Sequence, residues 1–165
     1  MERKSFGDMQ CPIARSLERV GEWWSILILR DASYGLTRFD DFQKSLGIAP
    51  NMLTRRLKGL VESGLMERKA YSVRPPRFEY VLTEAGHDFR PVVLSFLAWG
   101  NKHFAPEGAS VLLKHTKTGK TAVPVLVDQV SGEEITSSGH FKISAGPAAD
   151  DILKKRLASK YDTLI

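Results

Sequence analysis

Apolar positions along the first hundred residues keep helical spacing, change to the density of strands, and then return to helical spacing. Ile13, Leu17 and Val20 share one face of a segment from about 8 to 20, and Pro12 suits its first turn. Residues 22–30 are apolar nearly all round, which marks a helix buried in a core or an interface. Tyr34-Gly35 breaks that run, Thr37 offers an N-cap oxygen, and a third helix carries Phe39, Phe42 and Leu46 inward. Gly47 ends it, and Ile48-Ala49-Pro50 leads into a fourth helix. There Leu53, Leu57, Leu60 and Val61 fall at i, i+4, i+7 and i+8, and Gly64 follows where the chain needs positive φ.

Two helices with so short a glycine-containing link fit a helix-turn-helix. Residues 65–71 and 78–82 have the aromatic and aliphatic content of strands, with Ser72 to Arg77 as the tip between them. The pattern therefore predicts an α+β, mainly helical winged helix-turn-helix domain over residues 1–104. Thr83 can cap a further helix with Glu84 in its first turn, and Pro91 predicts a kink or restart inside it. Its stripe of Phe89, Val93, Phe96, Leu97 and Trp99 is richer than the last helix of a small domain needs, so a dimer interface and simple core packing both stay open. From 105 to 165 the texture changes. Residues 111–113, 123–127 and 141–143 predict short strands of a small antiparallel appendage between about 109 and 146. A terminal helix over 150–164 would follow through Ile152, Leu153, Leu157 and Tyr161.

Charge sharpens this picture. The chain has 24 Lys and Arg against 19 Asp and Glu. Residues 50–80 hold seven of the basic residues and only Glu62, Glu67 and Glu79 against them, so most of the excess sits on the fourth helix and the hairpin. Basic residues on one helix often mean only a solvated face; a basic hairpin beside it points to nucleic acid, where affinity is largely phosphate neutralisation. Asn51, Thr54, Arg55 and Lys58 lie opposite the apolar stripe and can meet base edges in the major groove. Arg56 would contact phosphate or buttress the turn. Arg74 and Arg77 would reach backbone or minor groove, and Arg38 would clamp a phosphate at the start of the third helix. The competing reading is a winged-helix protein-interaction module with the β appendage as its partner surface.

Other chemistry is poorly supported. His87, His103, His115 and His140 share no metal-ligand spacing, and no phosphate loop or nucleophile elbow is present, so neither an enzyme nor a cofactor is expected. One cysteine, Cys11, excludes an intramolecular disulfide. The apolar run over 23–29 is too short to span a bilayer and the first residues are polar, so a cytoplasmic protein away from the membrane is expected.

Several short stretches carry a resemblance when taken in order and at their spacing. They are Cys11-Pro12, Trp24-Ser25-Ile26-Leu27-Ile28-Leu29-Arg30, Arg38-Phe39, Met52-Leu53-Thr54-Arg55-Arg56-Leu57 and Gly64-Leu65-Met66-Glu67-Arg68. The last is Pro75-Pro76-Arg77-Phe78-Glu79-Tyr80-Val81-Leu82-Thr83-Glu84-Ala85-Gly86. Together they resemble the HxlR-type transcription regulators, a bacterial branch near the MarR winged-helix repressors. The resemblance implies a homodimer with interlocked outer helices, whose two reading helices enter successive major grooves of a near-palindromic operator on double-stranded DNA. It implies a repressor of a small adjacent operon. It also implies that Cys11 can sense oxidants or electrophiles, with a small apolar filler near the dimer seam as the plainer reading. Trp23, Trp24, Phe89, Phe96, Trp99 and Phe104 would line a small-molecule effector pocket or pack in the dimer interface. A subset of that family carries cysteines in a short ribbon; the corresponding positions here are Thr118, Asp128 and Ser131, which supply no thiolate for zinc.

Overall fold

The computed structural model describes residues 12–135 and 140–158. Its elements are α1 (Pro12–Val20), α2 (Trp23–Ser33), α3 (Phe39–Leu46), α4 (Pro50–Glu62), β1 (Met66–Val73), β2 (Pro76–Leu82), α5 (Glu84–Asp88) and α6 (Arg90–His103). The two-residue strands β3 (Leu113–Lys114) and β4 (Thr121–Ala122) and helix α7 (Asp151–Ala158) follow. The chain divides into two compact units, with the boundary between Leu94 and Ser95, inside α6.

The first unit is organised by α4. Leu53, Leu57 and Leu60 are fully buried with Ile28 and Leu29 of α2, Phe42 of α3 and Met66 of β1. Pro50 stands in the first turn of α4, where its missing N–H costs nothing. At the other end Gly64 takes φ 72°, which lets Leu65 N–H reach back to Leu60 carbonyl at 3.0 Å and swing the chain into β1. Gly86 answers a different need. A Cβ there would lie 2.1 Å from Leu65 carbonyl oxygen, so only glycine lets α5 approach that turn. Thr83 closes the same corner: its hydroxyl donates to Gly64 carbonyl at 2.7 Å and accepts from Gly86 N–H at 3.1 Å.

β1 and β2 pair antiparallel from Met66↔Leu82 to Val73↔Pro76. The expected six-residue tip therefore shrinks to Arg74-Pro75, because Ser72 and Val73 still pair; Pro76, at the strand end, loses little by lacking an N–H. The expected Thr37 cap is replaced. Arg38 is the extended residue before α3, because Thr37 carbonyl is taken by Tyr80 N–H at 2.7 Å and Arg38 bridges Glu79. The restart predicted at Pro91 is present: α5 stops at Asp88, and α6 begins at Arg90. The face predicted for α1 is only partly covered, with Val20 buried but Ile13 70% exposed.

The second unit has less regular structure than its apolar runs suggest. β3 and β4 pair through Leu113↔Ala122 and Lys114↔Thr121, Val127 bridges Glu134, and residues 141–143 form no strand. Strands this short cannot cover one another, so Val123, Val125 and Val127 stay exposed. Asp150 caps α7 by accepting Leu153 N–H at 2.7 Å, while Tyr161 and Leu164 lie outside the described residues.

Candidate nucleic-acid interface

Burial of Leu53, Leu57 and Leu60 dictates what α4 shows to solvent. Asn51, Thr54, Arg55 and Lys58 are all exposed along the opposite side. Thr54 hydroxyl donates to Pro50 carbonyl at 2.9 Å, which fixes its rotamer and leaves the methyl and an oxygen lone pair outward. Lys58 Nζ lies 3.7 Å from Glu62 in an open pair that exchanges readily for a phosphate. Arg56 behaves differently. Its side chain is only 15% exposed and its guanidinium lies 2.9 Å from Glu22 Oε2, just before α2. That contact braces the helix and leaves little of Arg56 to offer a phosphate.

The wing supplies a second set of cations. Arg74 and Arg77 are exposed at the tip and on β2. Arg38 is exposed too, its guanidinium carbon 3.8 Å from the centroid of the Tyr71 ring. Sequence reasoning missed Arg68, whose guanidinium carbon sits 3.5 Å over the Phe78 ring. No local signal announced it: Arg68 is diagonal to Phe78 only in the register that the bulge between Ala70 and Ser72 sets, a spacing that long side chains can close. Arg38, Phe39, Asp40, Tyr71, Arg77 and Phe78 line a cleft of about 370 Å³ between the start of α3 and the wing.

The candidate effector residues are not gathered into one pocket. Trp24 and Phe89 pack against the core of the first unit and Trp23 is 75% exposed. In the second unit Trp99 stands edge-on to Phe96 and Phe104, with ring centroids 6.5 and 4.7 Å away. Of Trp23, Trp24, Phe96 and Trp99, only Trp99 lines the larger cleft of about 640 Å³, whose other walls include Leu97, Leu112, Val123 and Leu126. Cys11 lies outside the described residues.

The ribbon turns are held by side chains. His115 Nδ1 accepts the N–H groups of Lys117 and Thr118 at 3.2 and 3.3 Å. Asp128 Oδ2 accepts Ser131 N–H at 2.8 Å and Ser131 hydroxyl at 2.7 Å. The hydroxyl first, then the N–H, hold the Asp128 carboxyl below its ordinary value by stabilising the charged form. Among the described residues no three His, Cys, Asp or Glu side chains are grouped to hold a metal ion. Nor is any described helix long and apolar enough to cross a membrane.

A family model described as HxlR-like helix-turn-helix matches residues 19–108. An HTH-type transcriptional regulator of Mycobacterium tuberculosis, itself uncharacterised, is 44% identical over 126 residues, which is 76% of this chain and 80% of the relative. Among solved structures, a Pseudomonas aeruginosa protein assigned as a transcription factor is 54% identical with a TM-score of 0.65, covering 89% of this chain and all of the other. The redox regulator HypR in its reduced form is 32% identical with a TM-score of 0.53, covering 56% of this chain and 92% of its own.

Proposed function

The chain belongs to the HxlR-like helix-turn-helix family, whose members are transcriptional regulators and not enzymes, and from that premise we propose a cytoplasmic homodimeric repressor that reads a near-palindromic operator. One observation carries the DNA-reading part. The buried Leu53, Leu57 and Leu60 turn Asn51, Thr54, Arg55 and Lys58 outward, and the cations Arg38, Arg74 and Arg77 are exposed at the start of α3 and on the wing. The helix would enter the major groove, and the wing would follow the neighbouring backbone. A two-fold operator needs a two-fold protein. The exposed Ile13, Leu17 and Trp23 of the first unit, and Phe96 and Trp99 of the second, are apolar surface of the kind a second copy covers.

Selection of DNA fragments from the source genome by the purified chain at near-physiological salt tests the reading. Enrichment of one near-palindrome with half-sites about one helical turn apart supports it. A dimer making about ten phosphate contacts should show a log–log salt slope near −9. Likeness to HypR supports a redox role for Cys11. Operator affinity should then fall after oxidant or quinone treatment, and Cys11→Ser should abolish the response. Unchanged binding by the treated wild type retires the sensor.

A second reading is favoured by the exposed Val123, Val125, Leu126, Val127 and Val130, which would suit a protein partner of the appendage. Recovery of bulk DNA with no motif and a shallow salt slope would select it.

A further inference from the structure

Arg38 is unusually well placed for an exposed side chain. Its backbone bridges Glu79, and the adjacent Thr37 carbonyl accepts Tyr80 N–H at 2.7 Å, so its position relative to the wing is set from two sides. Tyr71 reaches it because β1 is bulged. Pairing passes from Ala70↔Phe78 to Ser72↔Arg77, and the unpaired residue between them is Tyr71. The extra residue turns the ring under the guanidinium, 3.8 Å from centroid to carbon. A cation over an aromatic face keeps its outward N–H groups free while losing much of its rotamer freedom before any ligand arrives.

Arg77 lines the same cleft of about 370 Å³. Among the described residues neither guanidinium has an ion-pair partner, and Asp40 on the cleft wall pairs with neither. Two unneutralised guanidiniums sharing one small space repel each other, and a single anion between them relieves that repulsion. Planar N–H forks match a tetrahedral phosphate well.

We propose that Arg38 and Arg77 hold one backbone phosphate of the bound DNA between them in this cleft, with Tyr71 as the positioning residue that holds Arg38 for it. The proposal rests on the DNA-reading function above and adds a shared ligand, a specific cleft and a supporting ring. It differs from two independent phosphate contacts in its arithmetic. Each neutralised phosphate contributes about 0.9 to the log–log salt slope. With one shared phosphate, Arg38→Ala or Arg77→Ala alone leaves the other arginine in place, so the slope moves by much less than that. The double variant then loses about 0.9 per protomer, or about 1.8 for the dimer on its operator.

The experiment measures binding of the full chain to its selected operator across a salt series, for wild type, both single variants and the double variant. For the dimer, single losses of about 1.8 each, a double loss of about 3.6, or no loss in the double variant overturns the shared site. Tyr71→Leu should weaken binding about two- to fivefold when Arg38 is present and not at all in the Arg38→Ala background. Tyr71→Phe should bind as wild type. Equal weakening by Tyr71→Leu in both backgrounds would make the ring merely structural. Asp40→Asn, which removes a negative charge beside the anion, should strengthen binding; unchanged affinity would place the phosphate elsewhere. Absence of any steep slope in the wild type is a different failure, that of the DNA reading itself.

Discussion

In the first unit seven large side chains, Ile28, Leu29, Phe42, Leu53, Leu57, Leu60 and Met66, are essentially shut off from water, whereas no described residue of the second unit is buried. The second unit holds its turns instead with polar groups close in sequence, His115 on Lys117 and Thr118, Asp128 on Ser131, and Asp150 on Leu153. Burial grows with the number of elements that share a core, while a turn hydrogen bond is local and partly replaced by water when it breaks. The first unit can therefore hold α4 and the wing rigidly, as the proposed reading of DNA requires. The second is a set of turns held by local polar contacts.

The largest effect should come from the core. Leu57→Ala should lower unfolding stability by about 2–5 kcal/mol, measured by denaturant titration, whereas Leu113→Ala in β3 should cost well under that. Equal costs would mean that the ribbon shares the first unit's cooperativity, and the contrast would fall. Within the first unit the two faces of α4 should separate function from stability. Asn51→Ala or Arg55→Ala should relax operator preference at about 1–3 kcal/mol in binding with the fold intact. Arg74→Ala should weaken all sequences alike. A shift in preference from Arg74→Ala would assign base reading to the wing.

The next pair sets a local polar device in each unit side by side. Thr83→Ala removes both the cap of α5 and the bond to Gly64 carbonyl, and should cost about 1 kcal/mol by the same titration. Asp128→Ala should leave the global transition where it is and loosen only its own turn, seen as faster amide exchange at Ser131. A loss of global stability there as large as that of Thr83→Ala would erase the distinction. The smallest effect is with pH. Asp128 is held below its ordinary value, so the carboxylate's help to the turn is complete above the usual carboxylate range and fades as pH falls through the depressed value. Ser131 amide shifts should stay level from neutral pH down through the ordinary carboxylate range and move only below it. Movement near neutrality would assign the turn to another group.

Much of the proposed reading surface was legible along the chain because its exposure follows from periodicity. Once Leu53, Leu57 and Leu60 are buried, geometry alone puts Asn51, Thr54, Arg55 and Lys58 outside. The same local logic found Gly64 at positive φ, Thr83 as a cap and the restart before Pro91. Arg56 shows the limit. It is a neighbour of Arg55 with the same chemistry, yet it turns to Glu22, thirty-four positions earlier, and no local pattern announces that partner. Thr37 failed as a cap for a related reason, since its carbonyl was claimed by Tyr80 on a strand not adjacent in sequence. In the second unit, apolar runs such as 123–127 suggested strands, but strands need partners of matching length, and β3 and β4 offer two residues each.

The sequence by itself determined the order of helices, the hairpin, the outward face of α4 and the family, because spacing, backbone preference and residue order act over a few neighbouring positions. Only the tertiary structure decided which arginines are braces and which are free, because an ion pair or a ring contact depends on residues brought together from distant positions. It alone showed the bulge at Tyr71 that carries its ring to Arg38 and the cleft that Arg38 shares with Arg77.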